Sequence, residues 1–194
     1  NIPWLKIKNS KWLYLAPFGG KLALLTEEIV DFAKNNQIKV AFNPGYNQLT
    51  LPAKVLNKIL AKVDVLILNK EEVALLTKIP YEKETEVFKK IDELTKGIVI
   101  MTKGKEGVVV SDGKDIYRAG SLSDSLKIVD TTGAGDAFGA GFVSGLIEKG
   151  DIEYAIQLAM ANSGYSLTEW GAKEGLLKKN QKWLKVEIDK ELIN

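Results

Sequence analysis

The sequence predicts an α/β fold, a mostly parallel sheet with helices on both faces, formed as a single domain over residues 1–194. Three observations lead there. Strand-like and helix-like segments alternate along the chain. No linker or internal repeat divides it. A length of 194 residues, 45% of them hydrophobic and 27% charged, suffices to bury one sizeable core.

The alternation begins with a strand at Lys11 to Ala16, a turn at Gly19-Gly20, and a helix at Leu22 to Asn36 carrying Leu25, Ile29, Phe32 and Ala33 at helical spacing. A buried strand follows at Ile38 to Phe42, then a helix at Pro52 to Lys62 with Val55, Leu56, Ile59 and Leu60 on one face, and a strand at Val63 to Leu68. Short helices near Lys70 to Thr77 and Glu84 to Lys96 precede a β-branched strand at Gly97 to Met101. Gly107 to Val110 and Asp115 to Arg118 flank Ser111-Asp112-Gly113-Lys114, a hairpin turn that interrupts the alternation. From Ile128 a glycine-rich turn leads into a long apolar helix ending at Lys149, and Asp151 N-caps the next helix. The tail to Asn194 is expected to be a further amphipathic helix. The tryptophans, spaced singly along apolar segments, are expected to pack and carry no function.

Composition removes several chemistries. The chain has no cysteine and no histidine. Disulfides, thiolate nucleophiles, histidine-ligated zinc and histidine bases are therefore out, and proton transfer falls to carboxylates, lysines or tyrosines. The absence of cysteine suits a reducing, cytoplasmic setting. The net charge of +2 arises from scattered residues, so no nucleic-acid partner is expected. No apolar run is long enough to cross a bilayer, so no membrane partner is expected either.

The densest chemical signal is Asp130-Thr131-Thr132-Gly133-Ala134-Gly135-Asp136-Ala137-Phe138-Gly139-Ala140-Gly141, between a strand and a helix. Glycines at a helix start expose backbone N–H groups, which with the helix dipole make a cradle for phosphate or a transferring phosphoryl group. Asp136, held ionised at that positive end, would repel a resident phosphate unless a hydroxyl beside it needed deprotonation. It is therefore read as a general base. The plainer alternative is that the glycines permit close helix packing and Asp136 caps the helix. Gly133-x-Gly135-x-x-x-Gly139 also loosely matches a dinucleotide fingerprint, which keeps an NAD(P)-binding oxidoreductase domain as a distant alternative. No Gly-x-x-x-x-Gly-Lys-Ser/Thr occurs, and protein-kinase motifs are absent.

Asp130 to Phe138 resembles the second signature of the PfkB, ribokinase-like carbohydrate kinases. Asn43-Pro44-Gly45 is similar to that family's Asn-Pro turn, Asn69-Lys70-Glu71-Glu72 to its Asn-x-x-Glu motif, and Thr102-Lys103-Gly104-Lys105-Glu106-Gly107 to its Thr-x-Gly-x-x-Gly stretch. The resemblance implies ATP-dependent phosphotransfer to a hydroxyl of a sugar or nucleoside-like small molecule. Asp136 would be the base, and the backbone of Gly133, Ala134 and Gly135 the anion hole. Asn69 would serve the phosphate side and Glu72 Mg2+, through water. Thr102 and Gly104 would line the nucleotide, with Asn162 near the base or ribose. Asp130, Thr132 and carbonyls near Gly171-Ala172 would supply a K+ site. Each assignment has a plainer counterpart: a helix cap for Asn69 and Glu72, a strand-end turn for Thr102 and Gly104, an ordinary polar helix position for Asn162, and local backbone acceptance for Asp130.

Two segments of the resembling family find no counterpart: the N-terminal Gly-Gly region that holds the sugar, and a small β-sheet lid. The start at Asn1-Ile2-Pro3-Trp4, without methionine, agrees with a piece of a longer kinase. The expectation is the catalytic, nucleotide-binding portion of such an enzyme, with homo-oligomerisation a property of the full-length protein. A non-catalytic nucleotide-binding module is the alternative from another class.

Overall fold

The computed structural model describes residues 2–193. Seven strands occur among them: β1 Trp12–Leu15, β2 Lys39–Phe42, β3 Val65–Asn69, β4 Ile98–Thr102, β5 Val108–Ser111, β6 Asp115–Ala119 and β7 Ile188–Leu192. They form a mixed, mostly parallel sheet whose neighbours follow chain order. The helices are α1 Trp4–Lys8, α2 Thr26–Asn35, α3 Tyr46–Leu49, α4 Ala53–Leu60, α5 Lys70–Thr77, α6 Glu84–Asp92, α7 Ala134–Lys149 and α8 Ile152–Ser166. The chain forms two compact units. The first runs up to Met101 and takes in Val110–Asp115; the second comprises Thr102–Val109 and Ile116–Leu192.

In the first unit β1, β2 and β3 are parallel, with Trp12 opposite Lys39 and Ala41 opposite Val65. Buried Val40, Ala41 and Phe42 of β2 and Leu66, Ile67 and Leu68 of β3 read as the near-continuous apolar runs of a sheet covered by helices. Asp64 sets the register beside them. Its Oδ2 accepts from Val40 N at 2.8 Å, its carboxylate pairs with Lys34 Nζ, and its carbonyl accepts from Ile98 N at 2.9 Å. Helices α2 and α4 pack together, as do α5 and α6. The Asn43-Pro44-Gly45 turn follows β2, where Asn43 Nδ2 donates to Ile67 O at 3.0 Å.

In the second unit α7 and α8 pack antiparallel, Gly141 against Ala159 and Gly145 against Ala155. A Cβ on Gly145 would lie 2.5 Å from Ala155 Cα, so the glycine is what lets the two backbones close up. Gly145→Val is expected to destabilise the protein by about 2–3 kcal/mol, because overpacking meets backbone that cannot yield; a urea melt measures it.

The tail departs from expectation. Residues after α8 run irregularly and end in β7, not in an amphipathic helix. Pairing beyond the segment decides this. Arg118 Nη1 reaches Glu191 Oε2 at 2.8 Å, and Lys190 sits 5.0 Å from the ring centre of Tyr117. Gln157 bonds both backbone groups of Val186, at 2.6 and 3.0 Å, as a neighbouring strand would. Helix α1 and helix α3 were not expected from the sequence. The tryptophans behave partly as anticipated: Trp4 packs on Phe32 at 4.6 Å, but Trp170 is 76% exposed.

Candidate active site

The start of α7 is built by its glycines. Gly133 is the N-cap at φ 79°, a left-handed conformation that turns the chain so that Ala134, Gly135 and Asp136 form the first helical turn. The leading N–H groups of a helix lack acceptors within it, and the 16-residue α7 adds its dipole. Gly135 has open space where a Cβ would project. Asp136 is exposed on the same turn.

Helix α8 braces that turn from behind. Ser163 Oγ donates to Ala134 O at 3.0 Å, and Asn162 Nδ2 donates to Ala137 O at 2.8 Å. The entering segment is tied by Val129 N to Leu167 O at 2.7 Å. Asp130 closes the loop around it: Oδ1 accepts from Thr132 N at 3.0 Å and Thr132 Oγ1 at 2.8 Å, and Oδ2 accepts from Gly171 N at 2.9 Å. The N–H bonds from Thr132 and Gly171, then the Thr132 hydroxyl, hold the Asp130 carboxyl below the usual carboxylate range.

A cavity of about 430 Å³ opens beside the turn, a size suited to a small-molecule ligand. Its lining includes Thr102, Gly104, Ala134 and Gly135, four of the positions singled out in the sequence. Leu122, Ile128, Phe138, Met160 and Leu167 supply an apolar wall; Ser121, Ser123, Thr131 and Ser163 supply hydroxyls, and Lys105 a positive charge. Phe138 closes the Asp130 to Phe138 motif, but the rest of the wall was not singled out, because apolar residues such as Met160 on a helix carry no signal of their own.

Asn162 is not in the lining. Its oxygen accepts from Leu177 N at 3.0 Å, and its amide is taken by Ala137 O, so both functions of the side chain join α7 to the following loop. Asn162→Leu is expected to cost about 1–3 kcal/mol in a urea melt by stranding those two backbone groups, with nucleotide affinity nearly intact by calorimetry.

In the first unit Asn69 and Glu72 form a reciprocal capping box at the start of α5. Glu72 N donates to Asn69 Oδ1 at 2.8 Å, and Asn69 N to Glu72 Oε2 at 2.9 Å. Burial pushes the Glu72 carboxyl up, opposed by the Asn69 N–H and reinforced by Glu71. Among the described residues no cluster of three or more acidic side chains is arranged to hold a metal, so a divalent ion fits here only with its ligands drawn mainly from a nucleotide and water.

The pfkB family carbohydrate kinase model matches residues 2–179. The chain belongs to that family. Among curated pfkB relatives, a ribokinase of Lactococcus lactis is 34% identical over 179 residues, 90% of this chain and 53% of its own length. An ATP-dependent 6-phosphofructokinase of Thermoanaerobacterium thermosaccharolyticum is 32% identical over 176 residues, 86% of this chain and 53% of its own. The structure of Arabidopsis thaliana ribokinase complexed with ribose and ATP superposes with a TM-score of 0.76 at 22% identity, covering 89% of this chain and 55% of that one. Ribokinase from Thermotoga maritima gives 0.73 at 26% identity, covering 91% and 56%. The chain thus spans about half the length of the curated relatives it matches. Membership in a carbohydrate kinase family counts against the NAD(P)-binding oxidoreductase alternative. Among the described residues no helix is long and apolar enough to cross a membrane.

Proposed function

We propose that the chain supplies the nucleotide-binding and phosphoryl-transfer half of an ATP-dependent kinase that phosphorylates a hydroxyl of a sugar or related small molecule. The observation that carries this reading is the pairing of Asp136 with the open first turn of α7 at the edge of a ligand-sized cavity. A loose phosphoryl-transfer transition state asks for positioning and charge stabilisation more than covalent chemistry. The backbone N–H groups at Gly133, Ala134 and Gly135 would receive the charge that develops on the transferred group. Asp136 would take the proton from the attacking hydroxyl. Thr102 and Gly104 would line the nucleotide. Glu72, through water, and Asn69, on the phosphate side, would serve a magnesium ion bound with the nucleotide, which would offset phosphate charge.

Asp130, Thr132 and carbonyls near Gly171-Ala172 would hold potassium, with the Asp130 carboxylate oriented by the N–H groups of Thr132 and Gly171. Replacing potassium by a larger organic cation in the assay tests it directly.

The test of the whole reading is magnesium-ATP turnover by the full-length protein that contains this chain, against a panel of sugars and nucleosides. Transfer to at least one hydroxyl supports it. Nucleotide binding with transfer to none would move the non-catalytic binding module ahead. The panel also identifies the acceptor, and sizing of the same sample reports the oligomeric state.

A further inference from the structure

The cavity beside α7 is lined by two kinds of surface: Thr131, Ala134 and Gly135 at the helix start, and the apolar side chains of Leu122, Ile128, Met160 and Leu167. A nucleotide would place its phosphates at the helix N-terminus, as anions do, and its flat base against the apolar wall. We infer that this cavity accepts guanine as well as adenine nucleotides as phosphoryl donors, separating them by no more than about tenfold. The inference rests on the nucleotide-binding reading proposed above.

Purine discrimination needs groups of fixed polarity. Adenine presents an amino donor and a ring-nitrogen acceptor where guanine presents a carbonyl acceptor and N–H donors, so a carboxylate or carboxamide aimed at that edge rejects the wrong base. Among the described residues the cavity is lined by neither. Its uncharged polar side chains are hydroxyls, which rotate to donate or accept as the ligand requires. Ser121 Oγ accepts from Ser123 N at 3.0 Å, which leaves its own proton free to turn. Ser163 Oγ donates to Ala134 O, which leaves lone pairs to accept.

The carboxamide next to the lining in sequence is Asn162, and both of its functions are consumed by Ala137 O and Leu177 N. Lys105, the cation in the lining, favours phosphates whatever base they carry. A pocket that reads shape and apolar area alone discriminates similar ligands weakly, whereas one built to hydrogen-bond a particular edge rejects its mismatch by about 10⁴-fold or more.

Calorimetric titration of the purified protein with magnesium-ATP and magnesium-GTP decides the matter, with a thermal melt showing that the sample is folded. Dissociation constants within about tenfold of each other are expected. GTP binding weaker than ATP by clearly more than about tenfold would overturn this inference and leave the nucleotide reading standing, with backbone groups then the source of the preference. Binding of neither nucleotide by folded protein would overturn both.

Discussion

Asp136→Asn is expected to lower phosphotransfer turnover by about 10²–10⁴-fold, the range typical of a lost general base, while nucleotide affinity stays nearly unchanged. The substitution keeps the size and shape of the side chain and removes only its capacity to take a proton. Asp136 stands in the first turn of α7 with its side chain exposed, so nothing in the core depends on its charge. Loss of a carboxylate from the positive helix end costs about 0.3–1 kcal/mol, a small change that a melt separates from the catalytic effect. Turnover measured alongside calorimetry on the full-length protein gives the comparison. An Asn variant with full activity would remove Asp136 from the role of base and leave it as a helix-end charge.

The strands and the α7 turn were legible because their signals are local. Apolar runs such as Val65 to Leu68 announce a buried strand, and Gly133 and Gly135 beside Asp136 mark a helix start with open N–H groups. The tail was not legible, because β7 owes its form to partners remote in the chain: Arg118 and Glu191 are 73 residues apart. No window of local periodicity contains that pairing. The Asn69 and Glu72 pair shows a different limit. A spacing of three serves a capping box and a magnesium-side pair equally, and the structure realises the cap. Asn162 illustrates the opposite case: a polar residue on a helix facing a site reads as a ligand contact until its two partners are known. The apolar cavity wall at Ile128, Met160 and Leu167 was indistinguishable from core for the same reason, since sequence reports hydrophobicity and not which side of it is empty.

The paired substitutions Gly133→Ala and Gly135→Ala separate architecture from chemistry in the α7 turn. At Gly133 the backbone is left-handed, φ 79° and ψ 1°, and an added Cβ would meet Ala172 Cβ at 2.7 Å and its Cα at 3.0 Å. Left-handed strain of about 1–2 kcal/mol adds to the displacement of the Ala172 loop, so Gly133→Ala is expected to cost about 2–4 kcal/mol in a urea melt. Gly135 lies one step inside the helix with nothing within 4 Å of its Cβ position. There alanine is the better helix former by up to about 1 kcal/mol, so Gly135→Ala is expected to leave stability equal or higher. The same methyl would project into the space that the proposed mechanism gives to the transferring phosphoryl group. Turnover in the full-length protein is accordingly expected to fall at least tenfold in a variant that melts no earlier than the parent. A Gly135→Ala protein that is both stable and fully active would place the transferring group elsewhere, and the anion hole would have to be sought away from the first turn of α7.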